Sequence, residues 1–271
     1  MIIDIWDTQS YDEPLLELLH ENQKVIYGYF EEEKKIDDES SRKKTWSPPR
    51  SNPFVHGYHD IQEKISALMQ DRTIRVFHYT RMTDAEVDRF MGDGIIPTSL
   101  EFLEVRINRV VQEELITAEQ GKEIFKRSPL HSPALYGVRK GFWTTTGAFH
   151  PTDPGVNLLL EHWGGESAYW CITGENDDEL TDTLRNLGRG RIFEIHLPVA
   201  DANHGNANTS LGAPIVREYA RTLGFDIYPE ARDITIYEPA PPSVIIRHHN
   251  EGDEKYDHFG RGYPERHDPP M

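Results

Sequence analysis

The sequence predicts an α+β fold in which a mostly antiparallel sheet is flanked by helices. The main evidence is four short segments of alternating character, rich in β-branched and aromatic residues, as expected of strands with one buried face. These segments are residues 73–78, 141–145, 191–197 and 233–238. Between them lie segments with the apolar spacing of amphipathic helices. Two capping boxes, Thr83–Glu86 and Thr117–Gln120, mark where two of these helices begin.

Composition limits the class of protein. The chain has 271 residues, of which 37% are hydrophobic, enough for one large domain or two small ones. No run approaches the roughly 20 apolar residues of a membrane helix, and we expect no membrane partner. The N-terminus has an early acid and no basic region, unlike a secretory signal. Cys171 is the only cysteine, which excludes an intrachain disulfide and favours a reducing, cytoplasmic location.

The net charge of -17 comes from 29 basic and 46 acidic residues. This charge repels phosphate backbones at long range, so it argues against nucleic-acid binding over the whole surface. It leaves room for a local basic pocket. The histidines and the single cysteine show no HExxH or CxxC spacing, and we expect no metal site.

The two ends of the chain are predicted to lie outside the main domain. Residues 13–22 carry the leucine stripe of a helix, whereas residues 31–54 are rich in charge and end in prolines. The pattern indicates an N-terminal helical arm and charged linker over residues 1–54. The main domain would then span residues 55–250. Residues 251–271 have few apolar side chains, which is typical of a polar, disordered tail.

The first half of the main domain is predicted to be mainly helical. After the strand at residues 73–78, a helix begins at the first capping box and ends at Gly92–Gly94. A second helix follows over Leu100–Glu114, and a third begins at the second capping box. The second half is predicted to be richer in strands, and one of them is assigned to Ser167–Thr173.

The segment Phe77-His78-Tyr79-Thr80-Arg81 ends the first predicted strand. A capped helix begins two residues later, so a histidine, two hydroxyl groups and a cation would lie near a helix N-terminus. Such a group can bind an anionic ligand that carries hydroxyls. The alternative is a structural histidine, which is the commoner role for a single histidine at a strand end.

This segment resembles the start of the NAD site in the ADP-ribosyltransferase superfamily, in the branch that includes diphtheria toxin and the poly-ADP-ribose polymerases. There, a strand ends in histidine, a second residue, and serine or threonine, which match His78, Tyr79 and Thr80. The family usually has glycine where this chain has Tyr79. The segment Gly141-Phe142-Trp143-Thr144-Thr145 is similar to the family's next strand. In the family, the aromatic residue of that strand packs beside nicotinamide, and Trp143 is the matching position in this chain.

A third family element, an acidic residue that opens a late strand followed by prolines, is similar to residues 233–242. The family's catalytic glutamate falls on Asp233, which is one methylene shorter. Glu230 and Glu238 are nearby substitutes. The resemblance covers roughly residues 72–248.

A further motif, His162-Trp163-Gly164-Gly165-Glu166, lies outside the family pattern. Glycines allow the backbone to approach a ligand closely, so Glu166 is the reserve candidate for the catalytic carboxylate. The alternative is a helix end followed by a solvent-exposed glutamate. Arg185, Arg189 and Arg191 could hold a pyrophosphate, or could form a solvated turn.

The resemblance implies a split antiparallel sheet and NAD as the substrate from which ADP-ribose is transferred to a macromolecular acceptor, protein or nucleic acid. In that arrangement His78 would bind the adenosine ribose, and Arg81 would meet phosphate. Trp143, with Thr144 beside it, would flank nicotinamide, and the backbone of Tyr79 would contact it. Asp233 or Glu166 would face the reacting ribose.

Other functions remain open at this point. The same fold could support an NAD glycohydrolase or an RNA 2'-phosphotransferase, and a degenerate site would leave only a binding module. The sequence does not identify the acceptor or the oligomeric state. It also leaves open whether the protein is a bacterial-type toxin, a defence factor or a housekeeping enzyme.

Overall fold

The computed structural model describes residues 1–42, 48–174, 178–202 and 210–260. Within these residues, twelve α-helices surround a six-stranded sheet, which confirms the predicted α+β class. The strands are β1 (Ile2–Ile3), β2 (Thr73–Met82), β3 (Phe142–Thr145), β4 (Arg189–Pro198), β5 (Asp233–Ile236) and β6 (Ile245–Asn250). The helices are α1 (Glu13–Glu21), α2 (Gln23–Arg42), α3 (Val55–Met69), α4 (Asp84–Asp93), α5 (Leu100–Gln112), α6 (Ala118–Lys126), α7 (Pro133–Arg139), α8 (Asn157–Glu161), α9 (Glu166–Gly174), α10 (Asp178–Asn186), α11 (Gly212–Thr222) and α12 (Glu254–Asp257).

The centre of the sheet is the antiparallel pair of β2 and β4. All ten residues of β2 have a partner, from Thr73 opposite Pro198 to Met82 opposite Arg189. The strand order is β5-β3-β2-β4-β6, and every neighbouring pair in this order is antiparallel. The short β1 pairs with β2 in parallel. The predicted mostly antiparallel sheet is therefore confirmed.

The sheet opens between β2 and β3. These strands pair only where Phe77 lies opposite Thr145, and they separate beyond that point. Further along the same edge of β2, Arg81 forms an isolated bridge with Trp163. In an antiparallel ladder, alternate residues turn their backbone N–H and C=O away from the partner strand. The edge of β2 between these two points therefore presents backbone groups to the gap.

The first 42 residues are part of the main core and do not form a separate arm. Ile3, Leu15 and Ile26 are fully buried in the same apolar cluster as Ile74 of β2. The indole nitrogen of Trp6 donates to the backbone oxygen of Glu230, 3.0 Å away. The predicted boundary at residue 54 therefore does not separate an arm from a domain.

The predicted charged linker is wrong over residues 31–42, which continue α2. Phe30 and Ile36 are buried on one side of this helix, while Lys35 pairs with Glu31 one turn away on the solvent side. The charge run is one face of an amphipathic helix. Residues 43–47, which belong to the same predicted linker, lie outside the described residues.

Two other predictions of local structure are wrong. The strand predicted at Ser167–Thr173 is helix α9, whose buried residues Ala168 and Ile172 are one helical turn apart. The predicted polar tail is ordered over residues 251–260, where α12 buries Tyr256. The remainder of that tail, residues 261–271, lies outside the described residues.

Beside the sheet lies a second apolar cluster, formed by the helices that flank the gap. It contains Leu103 and Ile107 of α5, Ile124 of α6, Trp163 and Ile172. This cluster holds α5 and the segment before α9 on the open side of β2. None of the described helices has the length and apolar character needed to cross a bilayer.

Candidate functional site

A cleft of about 670 Å³ lies where β2 and β3 separate. Its walls come from β2, β3, α4, α5, the segment before α9 and the start of β5. The volume falls in the range of about 300–1,000 Å³ that is typical of small-molecule sites. The lining includes most of the predicted site residues: His78, Tyr79, Thr80, Trp143, Thr144, Glu166 and Asp233.

The imidazole of His78 is fixed at the base of the cleft. Its Nδ1 lies 2.7 Å from the backbone oxygen of Trp143, and its ring packs 4.1 Å from the ring of Phe142, measured between centroids. Because a carbonyl only accepts, Nδ1 carries the proton and Nε2 keeps a lone pair. Burial lowers the pKa of His78 to about 4, so the ring is neutral at pH 7. Nε2 can therefore accept a hydrogen bond from a ligand hydroxyl.

The other polar residues of β2 and β3 mainly hold the two strands in place. The hydroxyl of Tyr79 lies 3.0 Å from the backbone oxygen of Phe149 and accepts from the backbone N–H of the same residue at 2.6 Å. The buried hydroxyl of Thr144 donates to the backbone oxygen of Ile234. Since the phenol of Tyr79 is fully engaged, its backbone is the part of the residue suited to a ligand.

Trp143 is a partly buried aromatic wall of the cleft. Its indole nitrogen donates to the backbone oxygen of Lys140 at 3.2 Å, which fixes the ring. A fixed indole offers a flat apolar surface for a planar ligand ring.

Asp233 begins β5, opposite Thr145, and its side chain is exposed to the cleft. Among the described residues, no hydrogen bond or ion pair engages its carboxylate. The surrounding protein partly excludes water and raises the pKa of Asp233, and the charge of Arg232 opposes this shift. The carboxylate is thus available to a ligand and is held in an environment that disfavours its charged form.

Glu166 faces the same cleft from the start of α9. The chain reaches it through Gly164 and Gly165, whose φ angles of 85° and 66° favour glycine. A Cβ on Gly164 would lie 2.5 Å from the Cβ of Ala168, so this turn also needs glycine for space. The carboxylate of Glu166 forms an ion pair with Arg139, whose guanidinium lies 4.3 Å from the ring centroid of Trp170.

Arg81 does not belong to this cleft, contrary to the prediction. Its guanidinium pairs with Glu251 at 3.0 Å and donates to the backbone oxygens of Leu160 and Gly188. These contacts hold Arg81 on the opposite face of β2 from Thr80 and outside the cleft. The second predicted arginine group also lies elsewhere, because Arg189 and Arg191 pair with Asp84.

The sequence analysis missed all four arginines of the cleft lining, which are Arg139, Arg89 of α4, and Arg106 and Arg109 of α5. Arg89 pairs with Glu113 at 3.3 Å, and Arg106 pairs with Glu86 at 2.9 Å. Within the described residues, Arg109 has no ion pair. The helical spacing of Arg106 and Arg109 predicts that they share a face. It does not reveal that this face borders β2.

Glu86 joins three walls of the cleft. It accepts from the backbone N–H of Thr83 at 2.9 Å and from the indole nitrogen of Trp163 at 2.7 Å. The guanidinium of Arg106 lies over the ring of Trp163, 4.8 Å from its centroid. Burial opposes ionisation of Glu86, but Arg106 and the hydrogen bonds outweigh it and lower the pKa. The ionised Glu86 thus fixes α4, α5 and the Trp163 segment together.

The cleft therefore combines a neutral histidine, an aromatic wall, four carboxylates and four arginines. Among the described residues, no group of three or more His, Cys, Asp or Glu side chains is arranged to hold a metal ion. Comparisons with known protein families, with curated proteins and with solved structures find no match for this chain.

Proposed function

We propose that this chain is an NAD-dependent ADP-ribosyltransferase with the split-sheet fold of the branch it resembles. One observation carries the proposal. His78, Trp143, Glu166 and Asp233 lie on four separate elements, far apart in sequence, yet all four line one cleft. Scattered structural roles would give no reason for this convergence, whereas a common ligand does.

The geometry suits the two ends of a dinucleotide. Nε2 of His78 accepts a hydrogen bond from a hydroxyl of the adenosine ribose. The open edge of β2 near Tyr79 offers backbone groups to the nicotinamide amide, and the indole of Trp143 flanks its cationic ring. The donors and acceptors needed for NAD thus come from the two strands that separate at Phe77 and Thr145.

The reaction breaks the bond between C1' of the ribose and the nicotinamide nitrogen. The bonding electron pair leaves with nicotinamide, and positive charge develops on the ribose. A carboxylate beside that ribose stabilises the charge. The acceptor then forms a bond to C1' and loses its proton. Asp233 is the first candidate because no described group engages it, whereas Glu166 must first part from Arg139.

The test is incubation of the full chain with NAD labelled in its adenylate half, together with candidate protein and RNA acceptors. Label on a macromolecule supports the proposal. Release of nicotinamide without transfer identifies an NAD glycohydrolase. If there is neither transfer nor release, the chain is a binding module. Glu161→Gln is the matched control for replacement of the cleft carboxylates Asp233 and Glu166, because Glu161 is an exposed carboxylate outside the cleft.

A second candidate function is an RNA 2'-phosphotransferase of the same fold. The observation that favours it is the set of arginines in the cleft, since a phosphate on RNA needs several basic residues around it. An RNA with one internal 2'-phosphate separates the two activities. Loss of that phosphate in the presence of NAD, without stable ADP-ribosylation of other acceptors, would replace the first proposal.

A further inference from the structure

The charge of the cleft differs from that of the whole chain. Its lining carries four arginines and four carboxylates, whereas the chain as a whole has 29 basic and 46 acidic residues. In the part of the chain that the structure describes, no lysine lines the cleft. Arginine suits phosphate better than lysine does, because its planar guanidinium donates two parallel hydrogen bonds.

Three of these arginines, Arg89, Arg106 and Arg109, form what we call the arginine wall. Arg89 comes from α4, and the other two lie one turn apart on α5. The fourth arginine, Arg139, is engaged by Glu166 and by Trp170. Among the described residues, none of these three arginines pairs with Asp233 or Glu166, the carboxylates proposed for catalysis.

The guanidinium groups of the wall have N–H groups that the described protein does not satisfy. The Nη2 atoms of Arg89 and Arg106 are buried and have no hydrogen-bond partner among the described residues. Leaving a buried charged donor unsatisfied is costly, so a ligand oxygen that reached these atoms would bind with a corresponding gain. Arg106 is already fixed by Glu86 and Trp163, so it need not be ordered when a ligand binds.

The wall also lies close to His78. Both His78 and Arg106 line the cleft, and the charge of Arg106 contributes, after burial, to lowering the pKa of this histidine. In a nucleotide, the ribose hydroxyls and the phosphates are adjacent. A ribose bound at His78 would bring its phosphates towards Arg106.

We propose that the arginine wall binds the diphosphate group of a nucleotide substrate. Only the identity of that nucleotide as NAD rests on the proposed function. The wall replaces Arg81, which lies outside the cleft, as the phosphate contact.

Isothermal titration of the full chain with ADP and with adenosine tests this proposal. ADP binds at least about tenfold more tightly than adenosine, since charged hydrogen bonds to the phosphates are lost in the nucleoside. The double variant Arg89→Gln, Arg109→Gln loses most of this difference and keeps its affinity for adenosine. Arg106 is left intact because its contacts with Glu86 and Trp163 support the fold.

The charge-matched control is Arg185→Gln, since Arg185 is an exposed arginine outside the cleft that pairs with Asp182. It should bind ADP as the wild type does. Equal affinities of the wild type for ADP and adenosine, or an unchanged ADP affinity in the double variant, would overturn the proposal, as would no binding of either.

Failure here is distinguishable from failure of the proposed function. If NAD is not cleaved but ADP binding depends on Arg89 and Arg109, the transferase proposal fails and the phosphate site stands. If NAD is cleaved with an unchanged KM in the double variant, the transferase stands and the phosphate site is wrong.

Discussion

Two regions beside the central strands β2 and β4, an ionic cluster and the cleft, both carry charged side chains but differ in how those side chains are paired. Arg75 and Glu194 form the centre of the ionic cluster, which also includes Asp4, Arg247 and His249. In the cleft, guanidinium groups of α4 and α5 keep unsatisfied N–H groups, and Asp233 has no ionic partner among the described residues.

In the ionic cluster, each charge meets its complement. Arg75 and Glu194 are almost fully buried, and the carboxylate of Glu194 accepts from Arg75 and from His249, the latter at 2.6 Å. Burial alone would raise the pKa of Glu194, but His249 and Arg75 outweigh it and lower the pKa to about 2. Such pairing stabilises a fold, and among the side chains of this cluster only Arg247 keeps a buried atom, its Nε, without a hydrogen-bond partner in the described structure. In the cleft, by contrast, Arg89, Arg106 and Asp233 keep polar atoms without partners among the described residues, as is expected where a ligand completes the hydrogen bonding.

The largest expected effect is a loss of stability on breaking the ionic cluster. Glu194→Gln removes the carboxylate shared by Arg75, Arg247 and His249 and leaves the buried Arg75 with Asp4 as its one ion-pair partner among the described residues, which should lower the free energy of unfolding by about 3–5 kcal/mol. Urea denaturation measures this loss. Glu123→Gln, at an exposed pair with Lys126, should cost about 1 kcal/mol or less. A loss at Glu194 no larger than that at Glu123 would contradict the comparison.

The same cluster predicts an acid-dependent stability. The pKa of Glu194 falls from 4.5 to about 2 on folding, so its contribution is fully present above about pH 4.5. It should be lost as the pH falls from about 4.5 towards 2. In Glu194→Gln this component should be missing from the stability profile. Parallel acid profiles for the two proteins would show that Glu194 is not the group responsible.

On the cleft face, His78→Phe should weaken NAD binding by about tenfold, because one hydrogen bond is lost while an aromatic ring is kept beside Phe142. In the wild type, binding should not follow a titration of His78 between pH 5 and 8, since its pKa is about 4. Titration calorimetry at several pH values measures both effects. A binding step centred near pH 6.5 that disappears in His78→Phe would contradict the neutral acceptor role.

A smaller effect is expected on removing the capping box of α4, which borders the cleft, and removal of the capping box of α6 provides the comparison. Thr83→Ala and Thr117→Ala each remove one capping box and should each cost about 1 kcal/mol of stability. Only Thr83 begins the helix that carries Glu86 and Arg89, so only its replacement should raise the KM for NAD. Equal changes in KM for both variants would show that the cleft does not depend on α4.

The smallest expected effect is on the stability of an Asp233 variant, which should stay the same or rise rather than fall. Because the folded protein raises the pKa of Asp233, its ionised form is disfavoured by folding. Asp233→Asn should therefore leave the protein equally stable or stabilise it by less than about 1 kcal/mol, while lowering activity. Thermal denaturation compared with Glu161→Gln measures this difference. A clear destabilisation by Asp233→Asn alone would indicate a structural role.

The sequence predicts the parts of this molecule that depend on local pattern. Strands β2, β3, β4 and β5 and both capping boxes follow from alternation and from fixed spacing. The prediction for Ser167–Thr173 is wrong because a short apolar run fits a strand and a buried helix equally well. The charge run of α2 resembles a linker because its few buried residues, such as Ile36, are outnumbered by charges.

The candidate site was likewise predictable only where it depends on local sequence pattern. His78, Trp143 and Asp233 could be found because each lies in a recognisable segment of a strand. The arginine wall could not, since it depends on which face of α4 and α5 borders β2 in the folded chain. Arg81 shows the converse, because its position in the sequence suggests the site, whereas its contacts with Glu251, Leu160 and Gly188 hold it outside the cleft.

The most direct test of the account is nicotinamide release from NAD by the wild type and by the double variant Asp233→Asn, Glu166→Gln. The account predicts turnover by the wild type. It also predicts a loss of about 10²–10³-fold in kcat in the double variant, with NAD affinity changed only a few-fold. Glu161→Gln should match the wild type. No release of nicotinamide by the wild type, or normal turnover by the double variant, would contradict the proposed chemistry of this cleft.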